Sequence, residues 1–251
     1  MRSLPAPLGR LVAWIKIALC FLWTALWVSV AFCILGITRS ARVPKNMASW
    51  PWAAGILRLG PARLEVRGLE RVDWSKPYFL AANHQSFLDI PVLFRALPQH
   101  LHFVAKQELT RLPFVAGYIR AMGMIFVDRS NPEKAQESIR HTAEAVAGGR
   151  SVLIFPEGTR SPRGEVRRFK SGMLSAALHG DVPIVPIAVH GTADVLPRNM
   201  HRFRAGRVIV EVGEPLLLDD YGPADRRRLA NDVQQRVAAL HAGLLRLTSE
   251  I

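Results

Sequence analysis

Residues 79–89 read Phe79-Leu80-Ala81-Ala82-Asn83-His84-Gln85-Ser86-Phe87-Leu88-Asp89. The apolar run is short and unbroken, as in a strand buried on both faces of a parallel sheet. Asn83-His84-Gln85-Ser86 then interrupts it with polar groups. Ser86-Phe87-Leu88-Asp89 is an S-x-x-D sequence, a helix-start signal. Strand, turn and helix in that order point to an α/β fold. His84 stands at the strand exit, with Asp89 five residues on. Five residues of continuous helix turn a side chain through about 500°, so the two groups meet only if His84 lies in the turn. So placed, Asp89 orients the imidazole and stabilises it once protonated, as a general base requires. The alternative is that Asp89 merely caps the helix. With eight histidines in the chain, the spacing by itself is a weak motif.

Outward from this stretch, strands and helices alternate. Ala62–Arg67 reads as an edge strand and Tyr78–Ala82 as a buried one. Residues 86–97 read as a helix, 101–105 as a strand, 112–122 as a helix and 124–127 as a strand. Pro132–Ala147 is the clearest amphipathic helix, with Pro132 in its first turn and Gly148-Gly149 ending it. Strand 151–155, helix 171–179, strands 182–189 and 207–212 and a closing helix 224–247 complete the pattern. The expectation is an α/β sandwich, helices around a largely parallel or mixed sheet. It divides into an amino-terminal membrane-anchoring helical segment and linker, residues 1–60, and an α/β domain, residues 61–251.

Four of these strands end in polar residues: Asn83-His84, Lys106, Asp128-Arg129 and Glu157-Gly158-Thr159-Arg160. In open α/β sheets, ligands bind beyond the carboxyl ends of the strands. Parallel strands would gather one base and three cations, Lys106, Arg129 and Arg160, on one rim. That set suits a phosphate group. Gly158 and Thr159 suit a tight turn with N–H groups facing an anion. Glu157 would fix an arginine or accept from a substrate hydroxyl. Taken singly, each cation reads more readily as a solvated surface charge than as a ligand contact, and it is their joint placement at strand exits that shifts the weight.

The amino terminus has a different character. Ile17–Thr38 is uncharged over 22 residues, and five of six tryptophans lie at positions 14, 23, 27, 50 and 52. About 20 apolar residues span a bilayer as a helix, and tryptophan favours its interface. Basic residues flank the run on both sides, so a transmembrane anchor and a monotopic insertion with both ends on one side both fit. The net charge of +13 indicates an anionic partner. The aromatics cluster in the apolar run and are not interleaved with basic patches, which argues against nucleic acid. Cys20 and Cys33 lie within the apolar run and read as small hydrophobic residues. No Cys/His spacing suggests a metal.

Asn83-His84-x4-Asp89, Gly123-Met124-Ile125-Phe126-Val127-Asp128-Arg129, Phe155-Pro156-Glu157-Gly158-Thr159-Arg160-Ser161 and Val185-Pro186-Ile187-Ala188 together resemble the four ordered blocks of the glycerolipid acyltransferases, and most closely those of the lysophosphatidic acid acyltransferases. The resemblance covers about residues 60–215. It implies transfer of a fatty acyl group from acyl-CoA or acyl-carrier protein to the 2-hydroxyl of lysophosphatidic acid, with no cofactor, at the cytoplasmic face of the inner (cell) membrane. His84 and Asp89 would be catalytic. Lys106, Arg129, Glu157, Gly158, Thr159 and Arg160 would bind substrate. Backbone N–H groups near Gly158 or at 185–187 would hold the thioester oxyanion. The family often has a second proline where this chain has Ala188, a change expected to bear on the acyl pocket. The same machinery admits glycerol 3-phosphate, another lysophospholipid or a lyso-aminolipid as acceptor. A non-catalytic binder of anionic lipid is the competing class.

Overall fold

The computed structural model describes residues 6–111, 113–128, 131–161, 165–197 and 203–249, without the side chains of residues 6–10, Lys106, Pro113 and Ser249. Its centre is the apolar tetrapeptide Phe79–Ala82, a strand with all four side chains at zero exposure. In chain order the elements are helices α1 (Ala6–Thr38), α2 (Arg42–Met47) and α3 (Ala53–Leu59); strands β1 (Ala62–Arg67) and β2 (Phe79–Ala82); helix α4 (Asp89–Ala96); strand β3 (His102–Lys106); helix α5 (Pro113–Ala121); strand β4 (Ile125–Val127); helix α6 (Pro132–Ala147); strand β5 (Val152–Ile154); helix α7 (Ser171–Gly180); strand β6 (Ile184–His190); the short helix α8 (Thr192–Val195); strand β7 (Gly206–Val212); and helix α9 (Arg226–Ser249).

The seven strands form one sheet in the order β1-β7-β6-β2-β5-β3-β4. From β6 to β4 every neighbour is parallel; β7 runs antiparallel to β6, and β1 parallel to β7. The sheet is therefore mixed. Because β2, β3, β4 and β5 share a direction, their carboxyl ends lie on one rim, the condition for gathering the polar strand exits. Side chains alternate across a strand. Leu80 and Ala82 join the core made with α3 and α4, and Phe79 and Ala81 the core made with α6, α7 and α9. Burying side chains such as Leu80 and Leu153 contributes about 1.5–3 kcal/mol each.

Helix α4 begins at Asp89, three residues later than the S-x-x-D signal predicts. The N–H groups of Gln85 and Ser86 donate to the Asp89 carboxylate and the Ser86 hydroxyl to Leu196 O, which holds residues 83–88 out of helix. Pro91 then falls in the first turn, where its missing N–H is tolerated.

Residues 39–60, expected as a linker with short helical pieces, are helical over 42–59 and pack more closely than a linker would. They supply Ala48, Ala53, Ile56 and Leu57 to the same core as Leu80. Pro51 lies in a π-helical turn between α2 and α3, where a missing N–H is accommodated by the wider coil. Helix α1 has 33 residues, and its stretch Leu11–Thr38 is long and apolar enough to cross a membrane, by length and composition. Its inner face packs on the domain. Trp23 Nε1 donates to Trp52 O at 3.1 Å, Trp52 Nε1 donates to Thr24 Oγ1 at 3.0 Å, and Phe32 meets the rings of Phe114 and Tyr118. Its outer face leaves Trp14, Phe21, Leu22 and Leu26 at least half exposed.

Candidate active site

The β2 exit is fixed residue by residue. The Asn83 side chain continues the sheet where the backbone leaves it: Nδ2 donates to Val189 O and Oδ1 accepts from Val189 N, at 2.9 and 2.7 Å. His84 follows in the turn, as its spacing from Asp89 requires. Its N–H donates to Glu157 Oε1 at 3.0 Å, and its carbonyl accepts from Ser161 N at 2.7 Å. The β2 turn and the segment after β5 are thus stitched together around the histidine.

His84 Nδ1 lies 2.7 Å from Asp89 Oδ2. The carboxylate is fully buried and has three further donors: the N–H groups of Gln85 and Ser86, at 2.6 and 2.9 Å, and the Thr192 hydroxyl, at 2.5 Å on Oδ1. Asp89 is therefore a helix-start acceptor and an imidazole partner at once. An acceptor-only carboxylate fixes Nδ1 as the protonated nitrogen, leaving Nε2 as the basic one. The His84 ring stacks on Phe155, with centroids 4.0 Å apart and planes 14° from parallel. Ring position and tautomer are both set before any ligand arrives.

His84 stands in the wall of a cavity of about 610 Å³. The body is apolar, with Trp27 and Val28 of α1, Phe94 of α4, Phe103 of β3 and Ile119 of α5 among its walls. The polar groups gather with His84: Gly158, Thr159 and Arg160 from the loop after β5, and Glu108. Gly158 has a φ of +73°, a backbone conformation that strains any L side chain. The Arg160 guanidinium lies 3.8 Å over the Phe87 ring, a cation–π contact that directs it. A larger depression, about 740 Å³, runs along the outer face of α6 among surface charges such as the Arg140–Glu144 pair and contains none of the strand-end residues.

Glu157 is 4% exposed, and burial pushes its carboxyl up to about 7, reinforced by Asp89 nearby. It does not face the cavity. Its position is behind His84, whose N–H it accepts. Lys106 ends β3 opposite Val127, on the expected rim, but its side chain lies outside the described residues, and so does Arg129 altogether. The structure narrows the expected oxyanion donors. Gly158 N–H is bonded to Phe155 O at 3.0 Å, and residues 185–187 lie inside β6, paired within the sheet. Thr159 lines the cavity, and its N–H has no partner among the described residues. Ala188 faces Ile209 and Leu244, away from the cavity, so its substitution for proline does not shape the apolar chamber.

Sequence reasoning passed over Thr192, which reaches Asp89 from 103 residues away. It also passed over α1 as a wall of the cavity. Neither has a local signature, since both depend on tertiary approach. Among the described residues, no group of three or more His, Cys, Asp or Glu is placed to hold a metal ion.

A family profile described as Acyltransferase matches residues 63–190. The chain is 34% identical over 173 residues to 1-acyl-sn-glycerol-3-phosphate acyltransferase alpha of Ovis aries, covering 68% of this chain and 60% of that one. It is 36% identical over 144 residues to the 1-acyl-sn-glycerol-3-phosphate acyltransferase of Saccharomyces cerevisiae, covering 56% and 48%. It is 30% identical over 210 residues to the human beta enzyme of the same name, covering 83% and 74%. The chain thus spans only 48% and 60% of the yeast and sheep proteins. Its fold is similar to the crystal structure of PlsC, the 1-acyl-sn-glycerophosphate (LPA) acyltransferase from Thermotoga maritima, with a TM-score of 0.74 and 22% identity over 93% of this chain and 99% of that one.

Proposed function

This chain belongs to the acyltransferase family, and from that premise we propose that it transfers a fatty acyl group from an acyl thioester to the 2-hydroxyl of lysophosphatidic acid, forming phosphatidic acid. One observation carries the reading. A histidine with Nδ1 held by a buried carboxylate stands in the wall of a long-walled apolar cavity, with an arginine beside it. The imidazole serves a hydroxyl, the apolar chamber an acyl chain and the guanidinium a phosphate.

Nε2 of His84 takes the acceptor's hydroxyl proton as its oxygen attacks the thioester carbonyl carbon. Asp89 stabilises the imidazolium. The tetrahedral intermediate collapses, the carbon–sulfur bond breaks, and the thiolate leaves with the proton returned from His84. The Thr159 N–H is the proposed oxyanion donor. Arg160, with Lys106 and Arg129, holds the acceptor's phosphate, and fixing the hydroxyl against Nε2 lowers the barrier by orientation. The donor is acyl-CoA or acyl-carrier protein. Transfer is direct: neither Cys20 nor Cys33 lines the cavity.

The amino-terminal segment serves as the membrane anchor of the α/β domain, at the cytoplasmic face of the cell membrane. Of the two modes the sequence allows, monotopic insertion is favoured. Residues 23–32, the middle of α1, are packed against the domain. A perpendicular span would carry the domain's polar surface into the hydrocarbon. An in-plane helix offers the lipid only its outer face, Trp14, Phe21, Leu22 and Leu26.

The test is an acyl-transfer assay on the full chain in membranes, crossing acyl-CoA and acyl-carrier protein with lysophosphatidic acid and glycerol 3-phosphate. Product from lysophosphatidic acid supports the reading, and turnover confined to an acceptor without phosphate overturns it. A burst of labelled acyl-protein with donor alone would refute direct transfer.

A further inference from the structure

The rim opposite His84 carries a second cleft, about 410 Å³, at the amino ends of β3 and β5. His102 and Lys106 are the two ends of β3, about 13 Å apart along an extended strand, so this cleft is separate from the catalytic rim. Its cations come from three elements distant in sequence: Arg42 and Lys45 of α2, Lys76 before β2, and Arg150 before β5.

These cations converge without matching acids. Lys76 has Asp73 at 3.4 Å, both groups more than half exposed. Glu144, near Arg150 in the adjoining depression, is taken by Arg140 at 2.6 Å. Among the described residues, Arg42, Lys45 and Arg150 have no carboxylate within ion-pair distance. Lys45 is held below its ordinary range by burial and then by Arg150. Like charges so placed repel one another, and an anion between them relieves the repulsion.

A second feature points the same way. His102 is 4% exposed, and its Nδ1 donates to Ser151 O at 3.2 Å. Among the described residues its Nε2 is buried without a partner, as is Nε2 of His100, whose ring centroid is 4.8 Å away. Buried polar atoms are ordinarily satisfied. With Nδ1 as the donor, the neutral ring offers Nε2 as an acceptor for a ligand O–H. Cations beside an acceptor for O–H match a phosphate in its monoanionic form.

We propose that this cleft binds a phosphate group, carried by a membrane-lipid headgroup or free in solution. The headgroup source rests on the in-plane reading of α1. Arg42 follows the end of α1 by four residues, and the flanking Ile37 and Val43 are 84% and 51% exposed, which sets the cleft at the edge of the lipid-facing surface.

Amide hydrogen exchange on the full chain tests this by reading residues 42–47 and 147–152 directly. The arms are inorganic phosphate, phosphatidylcholine vesicles, and the same vesicles with phosphatidic acid. A ligand at about ten times its Kd slows exchange by about tenfold in both segments. Slowing with inorganic phosphate assigns the site to the phosphate group itself. Slowing only with phosphatidic acid vesicles assigns it to a headgroup. Slowing in neither overturns the proposal, as does undiminished slowing in Lys45→Gln/Arg150→Gln. That variant is checked by its melting temperature and by retained acyl transfer, and Arg150→Gln alone serves if it does not fold. Failure of the chain to bind any vesicle would refute the in-plane anchor and leave the phosphate arm intact as a test of the cleft.

Discussion

The Thr192 hydroxyl donates to Asp89 Oδ1 at 2.5 Å, while His84 Nδ1 occupies the other carboxylate oxygen at 2.7 Å. A threonine after β6 thus shares a carboxylate with the histidine after β2. Thr192→Val keeps the shape and removes the donor from a buried carboxylate, at a cost of about 1–3 kcal/mol. Part of that loss falls on the orientation of His84. We expect kcat to fall about tenfold, equivalent to about 1.4 kcal/mol, with KM for the acceptor little changed. Thr192→Ser should restore it. A purely structural role would lower stability without separating kcat from KM.

His84→Ala should abolish transfer, since positioned acid–base catalysis contributes about 10²–10⁴-fold. The ring is 16% exposed and its hydrogen bond leads to Asp89. Vesicle binding and the melting transition of the variant should remain. Turnover within about tenfold of the parent chain would remove the general-base role.

Arg160→Ala should raise KM for lysophosphatidic acid more than it lowers kcat, because the guanidinium stands on Phe87 beside His84. Arg160→Lys should recover only part, as a lysine gives a point charge without the planar fork. Initial rates over a range of acceptor concentration decide it.

Gly55 seats α1. A Cβ there would lie 2.2 Å from the Trp23 indole, against a helix that also lines the cavity. Gly55→Leu should destabilise the chain by about 1–3 kcal/mol through overpacking. It should also alter the preferred acyl-chain length, measured with a donor series, because Trp27 and Val28 are displaced with Trp23. An unchanged chain-length profile would detach α1 from the acyl chamber.

Acid should destabilise the fold. Burial lowers His102 and His241 to about 4, against about 6.5 in an unfolded chain. Between those values the unfolded chain holds protons that the folded one lacks, so stability falls as pH drops through the window. Glu157 works in the opposite sense, since its carboxyl is raised to about 7 and it gains protons on folding above its unfolded value. The histidines outnumber it. Urea midpoints should therefore be lower at pH 5 than at pH 7, and His241→Gln should flatten the difference.

The sheet and its helices were legible because each strand is a short apolar run and each helix has a periodic face. Pro132–Ala147 was bounded to the residue by Pro132 and the following glycines, and the structure adds the Asn131 side chain as its cap. The His84–Asp89 pair was legible once its spacing was treated as geometry, and its turn placement followed. What was not legible depended on distant chain. Glu157 reads as a substrate ligand from its motif, yet its carboxylate is turned inward to the His84 backbone. Residues 39–60 read as a linker with short helical pieces because proline and glycine interrupt them; what did not show was that the π turn around Pro51 lets those pieces reach the core.

The position of β1 constrains how the chain can be made. Ala62 pairs with Gly206 and Arg67 with Glu211, so the first strand finds its neighbour only in the last. During synthesis, α1 to α3 and β1 emerge long before β7. Contacts so remote in sequence form slowly, and an unpaired strand edge is an aggregation hazard while it waits. Docking of the amino-terminal helices on a bilayer would hold that edge apart from other nascent chains until β7 arrives to close it.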